Sequence, residues 1–91
     1  GHGEPSSDVA SLVAANVASF EKAANMIENV CTNVSTEVVL QTVCKTLNIT
    51  MTDLPRYYLN LCTVTAYLSY LREVKRIEVR LEDNQVLWSR A

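Results

Sequence analysis

Ninety-one residues, 48% of them hydrophobic and 20% charged, suffice for one globular domain with its own core and leave no room for a second. The net charge is −2, with two Lys against five acids over residues 1–45 and six Lys plus Arg against five acids over 46–91, so the strong basic field of an autonomous DNA binder is missing. No apolar run reaches the length of a membrane span and no signal peptide is visible, which leads to the expectation of an intracellular protein, cytoplasmic or nuclear.

Gly1-His2-Gly3 reads as a cloning remnant, and Glu4 to Asp8 as a polar lead-in, so residues 1–7 stand apart from a single domain over 8–91. Ser6 or Ser7 can cap a first helix whose apolar stripe runs through Val9, Leu12, Val13, Phe20, Ala24, Ile27 and Cys31, interrupted by Asn16. Such a helix spans about two dozen residues, more than a compact three-helix core needs. Its first half either overhangs to meet a partner or is a solvated, alanine-rich turn.

Cys31 to Ser35 reads as a short turn. Ser35 or Thr36, with Glu37, then opens a second helix that carries Val39, Leu40, Val43 and Leu47 inward, and Asn48 suits its left-handed end. The organising element follows, from Thr52 to Ile77. Leu54, Tyr57, Leu61, Val64, Leu68 and Leu71 recur at steps of three and four, predicting one core-facing stripe on a long helix. Thr52 is the expected cap, Asp53 adds a favourable charge at the positive end of the dipole, and Pro55 falls in the first turn.

After Lys75 the period changes to two. Ile77, Val79 and Leu81 alternate with charged residues, Glu82-Asp83-Asn84 supplies a turn, and Val86 and Trp88 return on one side. This predicts a β-hairpin that lays Trp88 over the helices, because an exposed indole would forfeit a large burial term. The fold class is mainly α within α+β, three helices followed by a C-terminal hairpin, in winged-helix-like order.

Cys31, Cys44 and Cys62 have no CxxC spacing and no nearby histidine, so they are expected to be buried free thiols rather than a zinc or disulfide framework. Two N-x-S/T triplets, at Asn33 and Asn48, fit helix-boundary chemistry better than glycosylation.

The run Asn60 to Ile77, NLCTVTAYLSYLREVKRI, followed by Asp83 and Trp88, resembles the small winged-helix domain at the C-terminus of metallo-β-lactamase-like endoribonucleases. The resemblance to winged helices at large covers about Ala24 to Arg90 and lies in hydrophobic spacing. It implies a non-catalytic appendage that helps engage RNA, through the second half of the third helix and the wing. The chain departs from that pattern at Val74-Lys75, where such helices often end in glycine, and it has no metallo-β-lactamase part.

A DNA-reading third helix would turn polar and basic side chains outward. Here the side opposite the core stripe is expected to hold Leu59, Cys62, Thr63, Ala66, Tyr70 and Glu73, a set better suited to a protein surface than to phosphates. The leading expectation is therefore a non-catalytic protein-interaction or dimerisation domain whose partner-binding residues are Leu59, Ala66, Tyr70 and Tyr67. The alternative is a nucleic-acid-binding domain, for RNA or single strands more than duplex DNA, using Arg72, Lys75, Arg76 and Arg80 beside the tyrosines. Interleaved Glu73, Glu78, Glu82 and Asp83 make the same residues a salt-bridged solvated surface in the plainer reading. A fragment of a larger protein is a third possibility, since the chain stops just after a strand.

Catalysis has little to work with. The sole histidine is His2, the sole glycines are Gly1 and Gly3, and no Ser/His/Asp or Cys/His set can be assembled from the body of the chain. No enzyme activity, metal, cofactor or small-molecule substrate is expected. Lys45 beside Cys44 is the one hint of an activated thiol.

Overall fold

The computed structural model describes residues 17–91. Expectations for the tag remnant with His2, the Ser6 or Ser7 cap, the stripe residues Val9, Leu12, Val13 and Asn16, and the overhanging first half of the first helix lie outside the described residues. Within them the order is α1 (Val17–Val30), β1 (Thr32–Ser35), α2 (Thr36–Thr46), α3 (Leu54–Glu73), β2 (Ile77–Glu82) and β3 (Gln85–Arg90). The strands form one antiparallel sheet in the order β1-β3-β2. The layout is α+β, as the change of period at Lys75 predicts.

Strand β1 stands where a turn is expected. Val34 pairs with Trp88 and Ser35 with Leu87, while the register shifts between Thr32 and Val34 around Asn33, whose φ is 64°. Four residues with an irregular step carry no readable alternation. The ladder partners that make them a strand lie more than fifty positions away, and the Arg90 N–H donating to the Cys31 carbonyl at 3.0 Å closes the end of the pairing.

Both inter-helix boundaries are set by local chemistry. The Ser35 hydroxyl accepts from the Val38 N–H at 3.3 Å and begins α2. Asp53, rather than the expected Thr52, caps α3 by accepting from the Arg56 N–H at 2.9 Å, and its carboxylate also complements the helix dipole. Both helices end in Schellman motifs. In α2, Ile49 N–H donates to Cys44 and Asn48 N–H to Lys45; in α3, Arg76 N–H donates to Leu71 and Lys75 N–H to Arg72. The left-handed residues are Asn48 at φ 58° and Lys75 at φ 64°. Lys75 occupies the glycine position without being glycine.

The core lies between the three helices and the inner face of the sheet. Ala24, Ile27, Val39, Leu40, Val43, Val64, Leu68 and Leu71 are fully or almost fully buried, with Ile77 and Trp88 closing the sheet side. Trp88 is buried as expected, and its indole N–H donates to the Thr36 hydroxyl at 2.8 Å, so the ring is both packed and satisfied. At the far end of the hairpin Asp83 and Asn84 both have positive φ, the signature of a two-residue type I′ turn joining Glu82 to Gln85. Leu81, next to that turn, is 72% exposed.

The core stripe of α3 differs from the expected one at its start. Leu54 is 67% exposed and Tyr57 and Leu61 are only partly buried, whereas Asn60 and Tyr67 are buried. The fully buried residues of α3 begin at Asn60, and in its first turn only Tyr57 packs against the core among the described residues. Leu47 is likewise only partly buried, and Cys44 takes the inward place at the end of α2.

Candidate functional site

Helix α3 runs unbroken for 20 residues, so its outward side is one continuous surface. Exposed along it are Leu54 at 67%, Tyr58 at 56% and Leu59 at 47%, together with Cys62, Thr65, Ala66 and Ser69. With 3.6 residues per turn, Cys62 lies on the midline of this face; Leu54, Tyr58, Thr65 and Ser69 form one flank, and Leu59, Ala66 and Tyr70 the other. Between Asp53 and Arg72 the helix carries a single charge, Arg56. The result is a long, nearly neutral strip whose exposed bulk lies in the first half and whose exposed side chains from Cys62 to Ser69 are small, with the half-buried Tyr70 beyond them.

Of the residues singled out for partner binding, Leu59 and Ala66 are exposed on this strip. Tyr70 is only half available, because its ring meets the edge of Phe20 at 5.1 Å between centroids. Tyr67 must be moved from the docking face to the core: it is 5% exposed and stacks on Phe20 at 5.0 Å. Burial pushes its hydroxyl pKa up, and among the described residues that hydroxyl has no hydrogen-bond partner. Phe20 on α1 thus covers one edge of α3, and among the described residues the strip centred on Cys62 stays exposed. Tyr58 and Leu54 belong to that strip and were not singled out, although Leu54, Tyr58, Cys62 and Ala66 repeat at steps of four. That repeat is readable in the sequence; what hides its meaning is that the core stripe has nearly the same period.

The basic set divides differently. Arg72, Lys75 and Arg80 are exposed, but Arg80 lies 3.7 Å from Glu82, an exposed pair of little energetic consequence. Arg76 is committed to the fold: its Nε donates to Glu28 Oε1 and its Nη2 to Asn25 Oδ1, both at 2.6 Å, joining the end of α3 to α1. Of the four cations, Arg76 is thus engaged within the fold and Arg80 has an acidic neighbour.

The thiols also differ from expectation in one case. Cys31 and Cys44 are buried and free, but Cys62 is exposed. Desolvation, helped by the nearby Glu28 carboxylate, pushes the Cys31 pKa up to about 11, and Cys44 is raised by burial. Lys45 therefore does not make Cys44 an activated nucleophile. Among the described residues no three His, Cys, Asp or Glu side chains gather in a way that could hold a metal ion, and no helix is long and apolar enough to cross a membrane. No protein-family model, curated protein or solved structure matches the chain.

Proposed function

We propose that this chain is a non-catalytic, winged-helix-type interaction module that binds a protein through the outward strip of α3. The observation that carries the reading is the exposure of Leu54, Tyr58 and Leu59 on a helix face with almost no charge. Phosphates need cations, and a face of this kind offers them none, whereas protein interfaces favour neutral, aromatic-containing patches. The order helix, strand, helix, helix, hairpin, with strand order β1-β3-β2, supports the winged-helix reading. An exposed free thiol at Cys62 supports a reducing, intracellular setting.

The nucleic-acid alternative is weakened by the engagement of Arg76 with Glu28 and by the carboxylate of Glu82 beside Arg80. The two readings separate in a photocrosslinking experiment. A benzophenone amino acid at Tyr58 should give a discrete protein adduct in cells, absent when Leu59→Glu is added and absent when the probe sits at Gln41 on exposed α2. Adducts to nucleic acid alone, or no adduct at position 58, would overturn the proposal.

A further inference from the structure

We infer that the partner on the α3 strip is a second copy of the chain, packed antiparallel about a twofold axis that passes through Cys62. This rests on the reading of α3 as a protein-docking face and specifies its occupant.

The strip is self-complementary about one point. Tyr58 lies four residues before Cys62 and Thr65 three after it, on the same flank; Leu59 lies three before and Ala66 four after, on the other. Further out, Leu54 is eight before and Ser69 seven after, again on the first flank. A twofold axis perpendicular to the helix preserves the flank and reverses the direction along it. Each bulky side chain of one copy then meets a small one of the other: Leu54 on Ser69, Tyr58 on Thr65 and Leu59 on Ala66. Large-against-small matching is what lets two helix surfaces interdigitate, and an isologous interface must have it with itself. A parallel arrangement would stack Tyr58 near Tyr58 and leave the small residues facing a gap.

Charge agrees with this arrangement. The strip from Leu54 to Ser69 holds no acid, so two copies do not repel across it, and Arg72 and Glu73 fall outside the paired stretch. The pairing runs ~24 Å along each helix at 1.5 Å per residue. That length of one helix against another gives an interface at the small end of specific ones, under about 1,200 Å², so the dimer is reversible and concentration-dependent.

Helices that pack at about 8–10 Å with Cα radii of about 2.3 Å bring the two Cys62 Cα atoms to ~3.4–5.4 Å, which at the wider spacings is the separation a disulfide spans. Cys31 and Cys44 are buried, so a mild oxidant such as copper(II) phenanthroline should link two chains through Cys62, two copper(II) ions taking one electron each and the two thiol protons passing to solvent.

The test is sedimentation equilibrium on the full chain from about 10 μM to about 1 mM, alongside this cross-linking. The mass should rise from one copy toward two. Tyr58→Glu and Thr65→Lys should each weaken association at least about tenfold and cut the Cys62 cross-link, while the double variant Y58E/T65K, which places Glu opposite Lys twice, should restore both. Both positions are exposed, and unchanged circular dichroism checks that each variant folds. A monomer at every concentration, or a double variant no better than the singles, would overturn the inference. A strict monomer that still gives a heterologous protein adduct at Tyr58 would defeat this inference while sparing the docking proposal; no adduct as well would defeat both.

Discussion

Arg76 links the fold to the question of function, and replacing it with alanine separates two roles. Its guanidinium makes two charge-assisted contacts of 2.6 Å, to Glu28 and Asn25, with the Arg76 and Glu28 side chains 28% and 27% exposed. A hydrogen bond to a charged group contributes about 1.5–3 kcal/mol when well desolvated. A solvent-exposed pair contributes about 0–1 kcal/mol. At this intermediate burial the coupling between Arg76 and Glu28 should be about 1 kcal/mol, placed between those limits. The single substitution should cost more, about 2 kcal/mol, because it also strands the part-buried Glu28 carboxylate and loses the more exposed hydrogen bond to Asn25. For a domain of this size that corresponds to a fall in Tm of about 8–16 °C.

The assay is a double-mutant cycle with Arg76→Ala, Glu28→Ala and both together. Urea unfolding can be followed by far-UV circular dichroism and by the fluorescence of Trp88, the single tryptophan. High salt should shrink the coupling without abolishing it. Additive single effects, with coupling below about 0.3 kcal/mol, or an Arg76→Ala protein as stable as the parent, would refute the reasoning. In that event Arg76 would return to the set of cations free to meet phosphate.

Lys75→Gly should stabilise the domain by about 0.5–1 kcal/mol, because this residue, the first after the C-cap of α3, has φ 64° and glycine occupies that region without a Cβ clash. Lys75→Val should destabilise it, and equal melting temperatures for the two would count against the strain argument. At pH 8 one thiol, Cys62, should react quickly with a disulfide reagent, while Cys31 and Cys44 should react only as the chain unfolds. Between pH 9 and about 11 stability should decline, since the unfolded chain releases the Cys31 proton near the ordinary 9.0 and the folded one holds it to about 11. Chemical unfolding across that range, compared with Cys31→Ala, checks the sign: stability that rises with pH there would contradict it.

Much of the architecture is legible in the chain because the signals are local. The polar residues Ser35, Asn48, Asp83 and Asn84 mark places where the backbone caps, reverses or turns left-handed, and each does so by bonding or conformational preference within a few residues. The alternation of Ile77 and Val79 with charged residues likewise reflects a sheet with one covered face, although Leu81 at its end is exposed. Strand β1 and the role of Arg76 were not legible, since both depend on groups brought in from distant sequence. Tyr67 shows the same limit on the candidate face. It sits between the core stripe and the outward strip, and only the arrival of Phe20 decides which side owns it.

Residue order alone determines that α3 is a long helix with apolar side chains around much of its circumference, that a hairpin follows it, and that the body of the chain has no histidine or glycine for familiar catalytic or phosphate-binding devices. Those properties follow from period, capping chemistry and composition, which act over one or two turns. Tertiary structure decides which arc of α3 is covered. Helix α1 places Phe20 over Tyr67 and part of Tyr70, while among the described residues Leu54, Tyr58 and Leu59 stay exposed. Burial is a property of what packs against a side chain, and neighbours far away in sequence supply it.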